Sequence, residues 1–148
     1  MDWTPLGNPS LLTRIAVAKG VGLAIGAVIC VMAPVIDPEL DTLTRLGILL
    51  WYPTMGALIG LFGVMNWHPI LQLPLPWWFR SVFIGLWLNL LLVLFSYERM
   101  GEFLLRLTGL PLSPFWFVIW GGLVGAVMGF SATRLGGEGP STTNVLQS

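Results

Sequence analysis

Charged side chains punctuate this sequence so sparsely that their gaps outline its architecture. No Asp, Glu, Lys or Arg occurs between Lys19 and Asp37, between Arg45 and Arg80, between Arg80 and Glu98, or between Arg106 and Arg134. An α-helix rising about 1.5 Å per residue needs about 20 residues to cross a hydrocarbon core about 30 Å thick, and each gap approaches or exceeds that length. The first and third gaps are a little short. Lys19 and Arg80 make up the difference by laying their aliphatic stems along the helix and placing their charged ends at the interface. The resulting spans are residues 11–35, 43–65, 77–97 and 115–133. A transmembrane barrel would instead need strands that alternate apolar and polar, and the run 88–95 does not alternate. Helices satisfy their own backbone groups in lipid, so the expected fold is an all-α membrane protein, a four-transmembrane-helix bundle. Composition agrees: 55% of residues are hydrophobic and 9% charged, with a mean hydropathy of +0.82, whereas soluble domains carry roughly 25% charged residues.

Local signals place the boundaries. Asp41 is a candidate N-cap for the second span, Pro76 opens the third, and Ser113 followed by Pro114 fits the start of the fourth. The tryptophans at 51, 67, 77, 78 and 116 read as interface anchors. Residues 1–10 form a leader, and the first span lacks the short apolar core and cleavage site of a signal peptide, so it is expected to be retained. Residues 98–108 carry Glu98, Glu102 and Arg106 at four-residue intervals opposite Met100, Phe103, Leu104 and Leu107, with Gly109 as a stop. This pattern predicts an amphipathic helix at the membrane surface. The apolar loop 67–75 is expected at the interface, and 135–148, rich in Gly, Ser and Thr, is expected to be a flexible tail. Arg14, Lys19, Arg80 and Arg134 fall on the side of the termini, against Arg45, Arg99 and Arg106 on the other. That bias favours both termini in the cytoplasm, with the protein in a bacterial inner membrane.

An internal repeat runs through the helices. Trp51, Gly56, Ala57 and Gly60 in the second span recur with the same spacing as Trp120, Gly125, Ala126 and Gly129 in the fourth. Spans one and three align more loosely, through Arg14 with Arg80 and Gly20 with Gly85. Small residues are common in membrane helices, yet the spacing is that of two tandem helical hairpins related by an axis along the membrane normal. Gly22 with Gly26, Gly56 with Gly60, and Gly121, Gly125 and Gly129 form small-residue stripes. Because lipid is as apolar as leucine, helices associate through close contact, which such stripes permit. The expectation is a pairing of span two with span four inside the monomer, and a homo-oligomer or a larger membrane complex outside it. The segment Gly121-Gly122-Leu123-Val124-Gly125-Ala126 resembles the GG-x-x-GA segment of small four-span fluoride channels. The likeness covers a short part of one helix, no ion-path residues of that family match here, and it implies no site.

Few residues carry chemistry. Asn89, mid-span, must point into the bundle, where it makes an interhelical contact or lines a polar path. Tyr52, Pro53 and Thr54 interrupt the second span: Pro53 frees a carbonyl, which Thr54 or water can satisfy, and Tyr52, Thr54 and Ser131 complete the candidate path. His68 stands alone, with no carboxylate between Arg45 and Glu98, so no metal or cofactor is expected. Glu98 and Glu102 read as a solvated face, and Cys30 has no partner for an intramolecular disulfide. Seven basic residues balance seven acidic ones, without the basic stripe that nucleic acid demands. With no nucleophile, base and orienting group at catalytic spacing, the expected protein is not an enzyme. It is a membrane protein with a packing or accessory-subunit role, partnered by the lipid bilayer; the alternative is a small homo-oligomeric channel or transporter for an ion or small solute.

Overall fold

The computed structural model describes residues 8–68, 70 and 72–146, with the side chains of 144–146 outside that description. Most of the leader, Pro69 and Leu71 of the loop, and the last two residues of the tail therefore lie outside the described residues. The rest is helical: α1 (Leu11–Ile36), α2 (Thr42–Phe62), α3 (Trp77–Phe95), α4 (Tyr97–Thr108) and α5 (Trp116–Gly136), then a 3-10 helix (Pro140–Leu146). Four of these, α1, α2, α3 and α5, are long and apolar enough to cross a membrane, which marks the chain as an integral membrane protein. Their outer faces fit lipid: Phe95 is 87% exposed and Val35 74%, an apolar surface that water would not tolerate.

The helix ends follow from local chemistry. Asp41 accepts a hydrogen bond from the Thr44 amide at 2.9 Å, and its second carboxylate oxygen accepts from the Thr44 hydroxyl at 2.6 Å. Ser10 caps α1 through the Thr13 amide at 3.5 Å. The fourth span departs from expectation. Ser113 and Pro114 form a turn, in which the Trp116 and Phe117 amides donate to their carbonyls, and α5 begins at Trp116. Gly109 ends α4 in the left-handed conformation, with φ 71°.

The principal pairings are α1 with α2 and α3 with α5, with α1 against α5 next. The expected pairing of α2 with α5 thus gives way to α1 with α2 and α3 with α5, because the glycine stripe of α2 meets α1 and that of α5 meets α3. The glycines sit at the closest approaches. A Cβ added to Gly22 would collide with the Tyr52 carbonyl, and one on Gly56 with the Ala18 carbonyl. In the second pair Gly85 faces the Gly121 carbonyl and Gly125 the Ser81 carbonyl in the same way. Each glycine points a Cα hydrogen at a carbonyl of the opposite helix, a contact that a side chain would abolish. Between the two hairpins, α2 and α5 meet through larger side chains: Tyr52, Met55 and Ile59 pack against Val124 and Met128.

These contacts also set the register of the repeat. Gly22 corresponds to Gly85, Ala18 to Ser81, Tyr52 to Gly121 and Gly56 to Gly125. The alignment of Arg14 with Arg80 and of Gly20 with Gly85 is therefore displaced. Trp77 occupies the place of Arg14, and a Cβ on Gly20 would meet nothing within 4 Å. Pro53 lies inside a continuous α2. The carbonyl it frees, on Leu49, lies 3.0 Å from the Cβ position of Gly26, while Thr54 bonds the Leu50 carbonyl instead.

Candidate functional site

The polar residues of the helices separate into three groups at three depths. The first lies within the spans. Asn89 is 2% exposed on α3. Its amide donates to the Phe117 carbonyl at 2.7 Å and accepts from the Trp51 indole at 3.1 Å. Gly121 makes room for it: a Cβ there would stand 2.5 Å from the Asn89 Cγ. The neighbouring bond comes from the equivalent tryptophan of the repeat, Trp120, whose indole donates to the Tyr52 hydroxyl at 3.2 Å. Asn89 and Tyr52 thus turn into the bundle and each binds across a helix boundary. Thr54 and Ser131 do not join them. Thr54 is exposed, Ser131 is partly exposed, and each hydroxyl donates 2.8 Å back to a carbonyl one turn earlier on its own helix. Within one chain, Asn89 and Tyr52 turn inward and Thr54 and Ser131 bond back to their own helices.

The second group lies at the end of the bundle that carries the chain termini, where α1 and α3 begin and α2 and α5 finish. Arg14 is 1% exposed. It donates to the Gly60 carbonyl at 3.3 Å, to the Thr133 hydroxyl at 3.2 Å and to the Gly137 carbonyl. Space for the guanidinium comes from absent side chains, since a Cβ on Gly63 would overlap it and one on Gly136 would stand 2.6 Å from the Arg14 Cγ. Arg80, 8% exposed, donates to the Gly63 and Met65 carbonyls and to the Glu138 carboxylate. Both guanidiniums thus meet carbonyls at the C-terminal end of α2, and Arg14 also meets one just past α5. The helix dipole is negative there, and the guanidiniums add to the amide bonds that Gly63 makes to the Gly60 carbonyl at 3.2 Å and Gly139 to the Gly63 carbonyl at 3.0 Å.

Sequence reasoning placed Arg14 and Arg80 at helix entrances and missed their convergence. A signal was present. Arg14 falls inside the first span, where an ionisable residue calls for a partner, and glycines at 60, 63, 136 and 137 bracket the ends of the helices it meets. Glu138 was hidden in the segment read as a tail. In the structure that segment packs down: the Ser10 amide donates to the Gly136 carbonyl at 2.9 Å, the Gly139 amide to the Gly63 carbonyl at 3.0 Å, and Thr142 is 1% exposed.

The third group sits at the opposite end. Arg106 of α4 pairs with Asp37 at 2.5 Å and Glu39 at 3.0 Å, and Arg99 pairs with Asp41 at 3.4 Å, tying α4 to the connection between α1 and α2. The Asp41 carboxyl is pulled down to about 2 by the Thr44 hydroxyl and amide, with Arg99 adding to the effect. The Glu39 hydrogen bond and the Asp37 charge raise the Arg106 guanidinium above its ordinary value. Glu98 and Glu102 lie exposed on α4, and His68 accepts a hydrogen bond from the Ile70 amide at 3.3 Å. Compared with known proteins, the chain matches no family model, no curated protein and no solved structure.

Proposed function

We propose that this membrane protein works as a packed, non-enzymatic helical unit, an accessory subunit that associates with copies of itself or with a larger membrane complex. We place it in a bacterial inner membrane with both termini in the cytoplasm, following the bias of basic residues to the terminal side. The observation that carries the reading is the bonding of Asn89. The most buried amide of the spans donates to Phe117 and accepts from Trp51, so it ties α2, α3 and α5 together. At 2% exposure it offers almost no surface to water or solute, which a residue lining a hydrated path must do. Thr54 and Ser131, returned to their own helices, support the same reading. The glycine stripes fit it too, as seams within the chain.

Two measurements test the proposal together. In mild detergent the protein is expected to elute as an assembly larger than one chain, and vesicles containing it are expected to show no solute flux above empty vesicles. A strictly monomeric particle would remove the subunit role. Selective flux that is lost in Asn89→Leu would replace it with the channel reading.

A further inference from the structure

Among the described residues, the charges at the terminal end of the bundle do not balance. Two buried guanidiniums, Arg14 and Arg80, share a neighbourhood in which the bonded carboxylate is that of Glu138, on Arg80. Their other partners among the described residues are neutral: the carbonyls of Gly60, Gly63, Met65 and Gly137 and the hydroxyl of Thr133. Carbonyls fix the direction of a guanidinium without cancelling its charge. Burying a charge is costly unless an opposite charge accompanies it, so the pair retains a demand for anion beyond one carboxylate.

The way Glu138 is delivered makes it exchangeable. Its side chain is 28% exposed where that of Arg80 is 8%, so the acid stands at the rim with the arginine behind it. Glycines in the left-handed region flank it, Gly137 at φ 79° and Gly139 at φ 81°, and a residue with a Cβ rarely adopts that backbone. The segment is therefore a short strap folded around its carboxylate, its backbone held by the Arg14 bond to the Gly137 carbonyl and the Gly139 bond to Gly63. At the same end Lys19 and Arg134 are exposed on α1 and α5, with the Arg134 guanidinium 5.9 Å from the centre of the Phe130 ring.

We propose that Arg14 and Arg80 form a binding site for a phosphate oxyanion, and that Glu138 occupies this site as an internal substitute ligand which phosphate displaces. A guanidinium fork matches phosphate as well as it matches carboxylate. Phosphate brings more negative charge than the acid it replaces, which meets the unbalanced second arginine. The position of the site among the helix ends admits the phosphate of a lipid headgroup or a soluble phosphate from the aqueous side. A ligand on a short strap acts at an effective concentration on the order of millimolar, so removing its charge should expose the true affinity of the pair.

The test uses the full chain purified in a zwitterionic detergent, with inorganic phosphate in one arm and phosphatidylcholine vesicles with and without phosphatidic acid in the other. Glu138→Gln is expected to bind phosphate at least about tenfold more tightly than the wild type, and Arg80→Gln to lose that gain in the double variant. A response to phosphatidic acid alone would identify a headgroup site, a response to inorganic phosphate alone a soluble ligand, and a response to both the shared chemistry. A folded Glu138→Gln that binds neither probe more tightly than wild type would overturn the proposal. Wild type gives an independent readout that does not depend on any variant folding. Phosphate on Arg14 and Arg80 takes the place of both the Gly137 carbonyl and the Glu138 carboxylate that anchor the strap to them, so amide exchange at Gly139 and Thr142 should accelerate when the phosphate probe is added. Exchange that stays unchanged at saturating levels of both probes would overturn it equally.

Discussion

The tight seam between α1 and α2 makes a quantitative prediction that one helix can test against itself. Gly47 and Gly56 both lie within α2. A methyl group on Gly47 meets nothing within 4 Å, whereas one on Gly56 would stand 2.6 Å from the Ala18 carbonyl carbon and 3.0 Å from the Lys19 nitrogen. Both neighbours are backbone atoms, so no rotamer change relieves the clash. Restoring ordinary contact at 3.4 Å or more means moving α1 away by roughly 1 Å, which at such a gap forfeits a quarter to a half of each dispersion contact along the seam. Overpacking of this kind costs about 1–3 kcal/mol. Gly→Ala also improves the helix by about 0.5–1 kcal/mol, but that gain is common to both variants and cancels in their difference. Gly56→Ala should therefore be less stable than Gly47→Ala by about 1–3 kcal/mol, roughly a 5- to 150-fold change in the unfolding equilibrium. Titration with a denaturing detergent, followed by tryptophan fluorescence, reads both variants directly. Equal stability, within about 0.5 kcal/mol, would refute the close approach of α1 to α2 and with it the glycine-seam account.

Asn89→Leu removes two interhelical hydrogen bonds, and at about 0.6 kcal/mol each in a membrane it should cost about 1.2 kcal/mol; in a double-mutant cycle with Trp51→Phe the losses should be less than additive, and strict additivity would deny that the pair interacts. The folded Asp41 carboxyl titrates at about 2, below its ordinary 3.8, so its stabilisation of α2 should be complete above about pH 4 and lost as pH falls toward 2. Unfolding measured across that window should show the decline in wild type and a flatter profile in Asp41→Asn, which caps without titrating. The ion pairs of Arg106 and Arg99 are exposed, so raising salt to about 1 M, where the screening length falls to about 3 Å, should increase amide exchange in α4 while leaving α3 unchanged.

Much of the fold was legible in residue order because the relevant forces act over one or two helical turns. The spans, the amphipathic α4, the Asp41 cap and the stop at Gly109 each depend on neighbouring residues and the solvent they meet. Parts of the candidate site were legible for the same reason: an amide such as Asn89 at mid-span has to face inward. Its partners, Trp51 and Phe117, come from other helices, and nothing in the local pattern of α3 identifies them. Thr54 and Ser131 show the limit from the other side. A hydroxyl in a helix can bond its own preceding turn, so its presence in a span does not place it in a shared path.

What the sequence by itself determined is that this chain belongs in a bilayer as four apolar helices with an amphipathic helix between the last two. Transfer of each segment from water to lipid is a property of its own residues. Which helices touch, and in what register, only the tertiary structure decided. The glycines of α2 met α1 and not α5, the repeat aligned through Gly22 and Gly85, and Arg14, Arg80 and Glu138 came together from distant parts of the chain. The reason is that lipid offers no preference for one apolar face over another. Once the helices are inserted, partner choice rests on backbone approach and on the few polar groups that must find each other, and both depend on the whole chain at once.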